Sequence, residues 1–150
     1  IIFGIKGWSA VELQNLATLG YDYMLPNFFY SNLAVSGAVL GHALKMKPGE
    51  QRSAAISTGL VCILGITEPA LYGIALPEKK PLYAAMAGGA IAGAAAMLLG
   101  VVTYAFSMPG ITSIATYMDE GNNFMLLLIV MPVAWVSAFV ISYVLSKKED

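Results

Sequence analysis

Charge is what this sequence has least of. Only 11% of its 150 residues are charged, against 58% hydrophobic, and the mean hydropathy is +0.72. That balance lies outside the range of soluble domains and puts the chain in the membrane class. Eight Lys and Arg in a chain of formal net charge -1 leave no surplus to gather on a phosphate backbone, which excludes a nucleic-acid partner. A single cysteine, Cys62, permits no internal disulfide and no Cys/His zinc set, and no metal or cofactor is expected. Cys62 sits in the apolar run AAISTGLVCILGI, where cysteine behaves as a small hydrophobe. The opening IIFGIKGW lacks an initiator Met and a basic region ahead of a short apolar core, so it does not read as a signal peptide. The expectation is a piece of a longer protein.

Uncharged length is what the sequence does have. Residues 82 to 106 and 124 to 146 contain no charged side chain. At about 1.5 Å per residue each is long enough to cross a hydrocarbon core of roughly 30 Å. Pro132 falls inside the second run and is tolerated there as a kink, because neighbouring helices satisfy the freed backbone in lipid. A third stretch, Asn27 to Leu44, is shorter and more polar, and it reads either as a short span or as part of a re-entrant element. The predicted fold is an all-α, multi-pass membrane protein.

Basic residues orient these spans. Lys45, Lys47 and Arg52 lie in one loop, Lys79 and Lys80 in another and Lys147 and Lys148 at the C-terminus, whereas the segment 107 to 123 carries Asp119 and Glu120 and no Lys or Arg. By the positive-inside rule the basic segments, C-terminus included, are cytoplasmic and the acidic loop is external. Residues 54 to 76 then lie between two loops on one side. The economical solution is a re-entrant hairpin that enters, breaks and returns. Gly65 and Gly73 loosen its backbone, and Pro69 removes an N–H and disfavours the α region for the residue before it, Glu68.

A carboxylate there is the sharpest signal in the chain. Non-helical backbone at membrane depth survives only when buried in protein or lining a watery cavity, and broken helices of this kind hold substrate sites in many transporters. A charge at that depth costs at least about 2.5 kcal/mol on the insertion scale, so the default inference is a functional site. Glu68 also suits the start of a helix at Pro69 as a cap, and a capping carboxylate can still face a cavity. Asn32, in the run LPNFFYSN, is either a polar liner of the same cavity or a partner in a helix–helix amide bond. Two further transport-site chemistries for Glu68 stay open on the residues alone: a proton-coupled carrier, or an intramembrane enzyme using it as a general acid or base. The enzyme reading lacks a partner acid, nucleophile or metal set, and no catalytic residue is assigned.

GITEP, followed by ALYGI and KKP, resembles the signature of enzyme IIC, the membrane permease subunit of the bacterial phosphoenolpyruvate-dependent sugar phosphotransferase system, glucose superfamily. The upstream stretch NLATLGYDYMLPNFFYSNLAVSGA is similar to its β-glucoside and sucrose or trehalose branch. The resemblance runs over nearly the whole chain and corresponds to the C-terminal part of such a permease. It implies sugar binding and translocation across the bacterial inner membrane, with phosphorylation by a partner IIB domain fed by IIA, in a homodimer within the lipid bilayer. It further implies that Glu68 hydrogen-bonds sugar hydroxyls, with Thr67, Gly65 and Ile66 as secondary contacts. The phosphoryl-carrying residue and the family's histidine motif are not in this chain. His42, beside Lys45 at a helix end, is read as interfacial or dipole-facing. Gly89 and Gly93 form a GxxxG expected to pack closely against another helix, and Trp8, Tyr21 and Tyr23 are interface aromatics.

Overall fold

The computed structural model describes residues 8–118 and 121–146, Trp8 by its backbone alone. Expectations for the Trp8 side chain, Asp119, Glu120, Lys147 and Lys148 lie outside the described residues. Among the described residues seven α-helical segments are joined by one π-helical turn and one 3-10 segment. In order they are α1 (Trp8–Leu19), α2 (Met24–Ala43), α3 (Glu50–Ile63), α4 (Glu68–Ala70), the π turn Leu71–Ala75, α5 (Leu76–Glu78), α6 (Lys80–Leu99), the 3-10 segment Ile111–Tyr117 and α7 (Asn123–Leu145). Extended pairing among the described residues is confined to one antiparallel bridge, Asp22 with Thr103.

Helix α2 is the centre of the molecule. Asp22 starts it, accepting the Met24 and Leu25 N–H groups on Oδ2 at 2.9 and 2.7 Å while Oδ1 accepts Asn15 Nδ2 at 2.7 Å. Two donors that a helix start leaves open are thereby satisfied, and a negative charge meets the positive end of the helix dipole. The helix then runs for 20 residues, about 30 Å. That is one continuous helix of bilayer-spanning length where the sequence left a short span or a re-entrant element open. Its modest hydropathy has a physical reason: Asn32 to Val39 are all buried by protein, so the helix does not need an apolar surface all round.

Among the described residues two helices, α6 and α7, are long and apolar enough to cross a membrane. Both pack on α2 and on each other, α6 antiparallel to α2 and α7 parallel to it. Helix α6 ends earlier than the apolar run suggests. Gly100, at φ 71°, caps it in the left-handed region, with its N–H turned back to Met97 O and Val101 N–H to Ala96 O, a glycine C-cap. Beyond it Thr103 exchanges both backbone hydrogen bonds with Asp22 at 2.8 Å, so residues 101 to 106 are apolar without being helical. Helix α7 carries Pro132 in its interior.

Missing side chains set the helix spacing. A Cβ at Gly41 would lie 2.5 Å from Phe139 O, one at Gly37 would strike Trp135 O, and one at Gly88 would lie 2.6 Å from Ala138 Cβ. The anticipated pair behaves differently: a Gly89 Cβ would meet Ala34 Cβ at an ordinary 3.8 Å, and a Gly93 Cβ would meet no backbone, only the Asn27 side-chain oxygen at 3.1 Å. The tight glycine pair is therefore Gly37 and Gly41, four residues apart on α2. The lower half of the core is accordingly built from small side chains such as Ala34, Ala38, Ala84, Ala85 and Ala138. The upper half is aromatic and branched, around Phe29, Tyr30, Tyr117, Leu127 and Val130.

Helix α3 runs back along α2, with Gly59 against Val39 and Leu40. It stops at Ile63, and α4, the π turn and α5 return the chain to the end from which α3 began. There Glu78 Oε2 lies 3.7 Å from His42 Nε2, and His42 Nδ1 shares a 2.7 Å hydrogen bond with Ser146 Oγ. His42 is in the last turn of α2, as a dipole-facing residue would be, but buried rather than interfacial. Lys45, Lys47, Arg52, Lys79 and Lys80 thus share this lower end. The upper end holds the start of α2, the end of α6, the start of α7 and the loop 101–118, which contains no Lys or Arg. Tyr21 and Tyr23 are 39% and 42% exposed beside α2's start.

Alanine at a helical glycine gains about 1 kcal/mol of propensity, while forcing a methyl into a closed contact costs about 1–3 kcal/mol or more. The clash dominates at Gly41, where the obstacle is backbone, and propensity dominates at Gly89. Gly41→Ala is expected to lower the melting temperature of the purified protein in detergent and Gly89→Ala to leave it level or raise it. The reverse order would contradict this account of helix spacing.

Candidate functional site

The break between α3 and α4 lies near mid-height of the bundle. Its neighbour on α2 is Asn32, eight residues from the start of the helix and eleven from its end, or about 12 and 16 Å along the axis. Gly65 makes the turn, at φ 101°, a conformation that L side chains avoid. Gly65, rather than Glu68 or Pro69, carries the reversal. Pro69 sits in the first turn of α4, where no N–H is needed.

A second irregular segment meets this break from above. A Cβ on Gly65 would lie 2.8 Å from Pro109 O, and one on Gly110 would strike Leu64 O. The two chains touch backbone to backbone, and each needs a glycine at the contact. Asn32 Nδ2 donates to Pro109 O at 2.6 Å, and Ser113 donates to Gly110 O through its N–H at 2.8 Å and its Oγ at 2.7 Å. These bonds supply partners to carbonyls that no regular element covers. The sequence reading missed Pro109 and Gly110. The signal available was the Pro-Gly dipeptide itself, a strong turn marker in an otherwise apolar stretch.

Of the five residues singled out from the sequence, Gly65 and Asn32 are brought together through Pro109 and Gly110. Thr67 is buried at the N-cap position of α4, where its carbonyl accepts Leu71 N–H at 2.8 Å and its hydroxyl makes no cap bond. Ile66 is 52% exposed and Glu68 is exposed in the first turn of α4. Asn32 is therefore tied to the loop rather than bordering an open cavity, and the carboxylate stands free at the rim of the break.

The chemistry available is recognition by acceptor oxygens. Among the described residues no three His, Cys, Asp or Glu side chains gather as metal ligands. An open groove of about 470 Å³ runs between α2, the end of α3 and α7, lined by Leu33, Ile63, Met131, Pro132 and Trp135 among others. Its lining is apolar, so it offers nothing to orient a polar ligand.

No family model and no solved structure matches the chain. Curated relatives do. The chain is 36% identical over 142 residues to the PTS system sucrose-specific EIIBC component of Bacillus subtilis (strain 168), an alignment covering 94% of this chain and 31% of that protein. It is 33% identical to the PTS system beta-glucoside-specific EIIBCA component of the same organism, over 90% of this chain and 22% of the relative. It is 31% identical to the PTS system trehalose-specific EIIBC component of Escherichia coli (strain K12), over 85% and 28%. The chain thus spans about three-tenths or less of the length of these proteins. Over about nine-tenths of its own length, it is similar to EII components of PTS sugar systems.

Proposed function

We propose that the chain is the C-terminal part of an enzyme IIC permease domain, which binds a sugar and carries it across the bacterial cytoplasmic membrane for phosphorylation by a partner IIB domain. The observation that carries the reading is Glu68, an exposed carboxylate at a broken helix near mid-height of an apolar bundle. A carboxylate has two oxygens that accept from neighbouring hydroxyls, and hydrogen bonds to a charged group contribute about 1.5–3 kcal/mol each. Vicinal sugar hydroxyls are the matching donors. Thr67, Gly65 and Ile66 shape the rim around it, and Asn32 supports the rim from behind. We assign a glucoside as substrate, of the β-glucoside type for which one of these relatives is named, the others being named for sucrose and trehalose.

In the same reading the lower end faces the cytoplasm, where the IIB and IIA phosphocarriers work, and α3 to α5 form a re-entrant hairpin. The segregation of basic side chains to that end supports it. The permease is assigned as a homodimer in the bilayer.

Two measurements test the proposal. Glu68→Gln keeps the shape but turns one acceptor into a donor and removes the charge, at an expected loss of about 2–4 kcal/mol from one to two charge-assisted bonds, or roughly 30- to 1,000-fold in sugar affinity of the intact purified permease. Thr67→Val should lose less. Undiminished binding by Glu68→Gln would make Glu68 a helix-start residue and move the site elsewhere. For topology, single cysteines at Lys47 and Lys80 should react with an impermeant reagent from the cytoplasmic side and one at Met118 from the outside; Lys47 and Lys80 labelled from opposite sides would reject the hairpin.

A further inference from the structure

At the upper end one carboxyl group is left without a partner. Glu12, on α1, is fully buried, and neither of its oxygens has a hydrogen-bond partner. The hydroxyls of Tyr30 and Tyr117 are buried and unpartnered as well. Such groups each cost free energy when left unmatched and call for a water, an ion or a proton. Asp22 is the neighbouring acid, and it is fully engaged: two backbone N–H groups and Asn15 Nδ2 already point at its oxygens. The strands of chain that build this end, 8–44 and 81–146, contain no Lys or Arg. Among the described residues, a charged Glu12 would thus face Asp22 with no cation to offset it.

We propose that Glu12 is a proton-binding site: as the neutral acid it seats the loop 101–118 on the upper end, and on losing its proton it releases that loop. The titratable groups that face it are Asp22, ahead of α2, and Tyr117, on the 3-10 segment, with Tyr30 of α2 next to Tyr117. Three donors already occupy the Asp22 oxygens, whereas those of Glu12 are left open, so Glu12 is the group that changes. Burial, first, and the Asp22 charge lift its carboxyl from the usual 4.5 to about 7, with the Ser107 backbone N–H pulling the other way. The sign follows from linkage. A carboxyl whose value is raised in the seated state contributes seating stability that is complete below about 4.5 and is lost as pH rises to about 7.

The loop that Glu12 seats is the one that reaches the break. Ser107 faces Glu12, and two residues on, Pro109 and Gly110 lie against Gly65 and are held by Asn32. Protonation at the upper end therefore bears on the backbone beside Glu68 through three residues of non-helical chain. This last link rests on the sugar-site reading above; the proton site itself does not.

The experiment uses the intact permease with Cys62→Ala and a cysteine at Ser113, which is buried within the loop. Its alkylation rate is compared between the Glu12 protein and Glu12→Gln, an uncharged isostere, at equal pH from 5 to 8.5, so that titration of the thiol cancels in the ratio. The Glu12 protein should be alkylated at the same rate as Glu12→Gln at pH 5 and at least about 10-fold faster at pH 8. Glu12→Met, also uncharged, should match Glu12→Gln, and serves if the amide variant does not fold. A ratio that stays constant with pH overturns the proposal. Replacing sodium by N-methylglucamine should change nothing, and faster alkylation without sodium at pH 8 would overturn it in favour of a cation site. Sugar affinity is read in parallel and should fall with rising pH for the Glu12 protein and stay level for Glu12→Gln. A permease that binds no sugar at any pH would sink the reading of Glu68 while leaving the alkylation result to decide on Glu12.

Discussion

A helix interrupted inside an apolar bundle leaves peptide groups that neither water nor lipid can satisfy, and the rest of this structure is arranged around that constraint. The break at Gly65 is tolerable because a second irregular segment covers it. Pro109 and Gly110 lie against it backbone to backbone, Asn32 takes the Pro109 carbonyl, and Ser113 takes the Gly110 carbonyl. Each device depends on the others. Removing the glycines would separate the segments, and removing Asn32 would leave a buried carbonyl open at a cost of about 1–3 kcal/mol.

The closeness of the helices serves the same end. Gly37 and Gly41 let α7 lie directly on α2, and α2 lies wholly within the protein at the height of the break. A rigid wall at this height is what lets a short polar side chain, Asn32, reach a loop carbonyl at 2.6 Å. His42 fixes the opposite end, joining α2, α5 and the end of α7 through Ser146 and Glu78. The broken segment is thus held at its tip by Asn32 and the loop, and at its base by a histidine, with Glu68 on the open side between them.

Much of this was legible in the sequence where one residue type carries one physical meaning. Uncharged runs located α6 and α7, the basic residues grouped the loops now found at the lower end, and Gly65 ahead of Glu-Pro marked a break. Legibility failed where tertiary contacts decide. Hydropathy could not see that α6 stops at Gly100, because residues 101 to 106 remain apolar while Thr103 pairs with Asp22. It undervalued α2, whose polar residues are hidden by protein. GxxxG spacing pointed to Gly89 and Gly93, whereas the contact uses Gly37 and Gly41; spacing alone does not say which face meets a partner. The role of Glu12 lay beyond any local signal, since α1 is an ordinary short helix until the loop from 101 to 118 folds over it.

The chain treats its two most telling carboxyl groups in opposite ways. Glu68 stands exposed in the first turn of a helix, where its acceptor oxygens are presented. Glu12 is buried beside a second acid, where burial penalises its charge and lifts its carboxyl to about 7 against the pull of the Ser107 backbone N–H. Differences of exposure divide the tasks of the two acids: an open carboxylate can accept from a polar ligand, and a buried one can hold or release a proton. Between them run Ser107 to Gly110 and the glycine contact at Gly65. A segment that is short, non-helical and anchored by a handful of hydrogen bonds is the part of such a bundle with the least packing to resist displacement, so a change of charge at one acid has a direct mechanical route to the other.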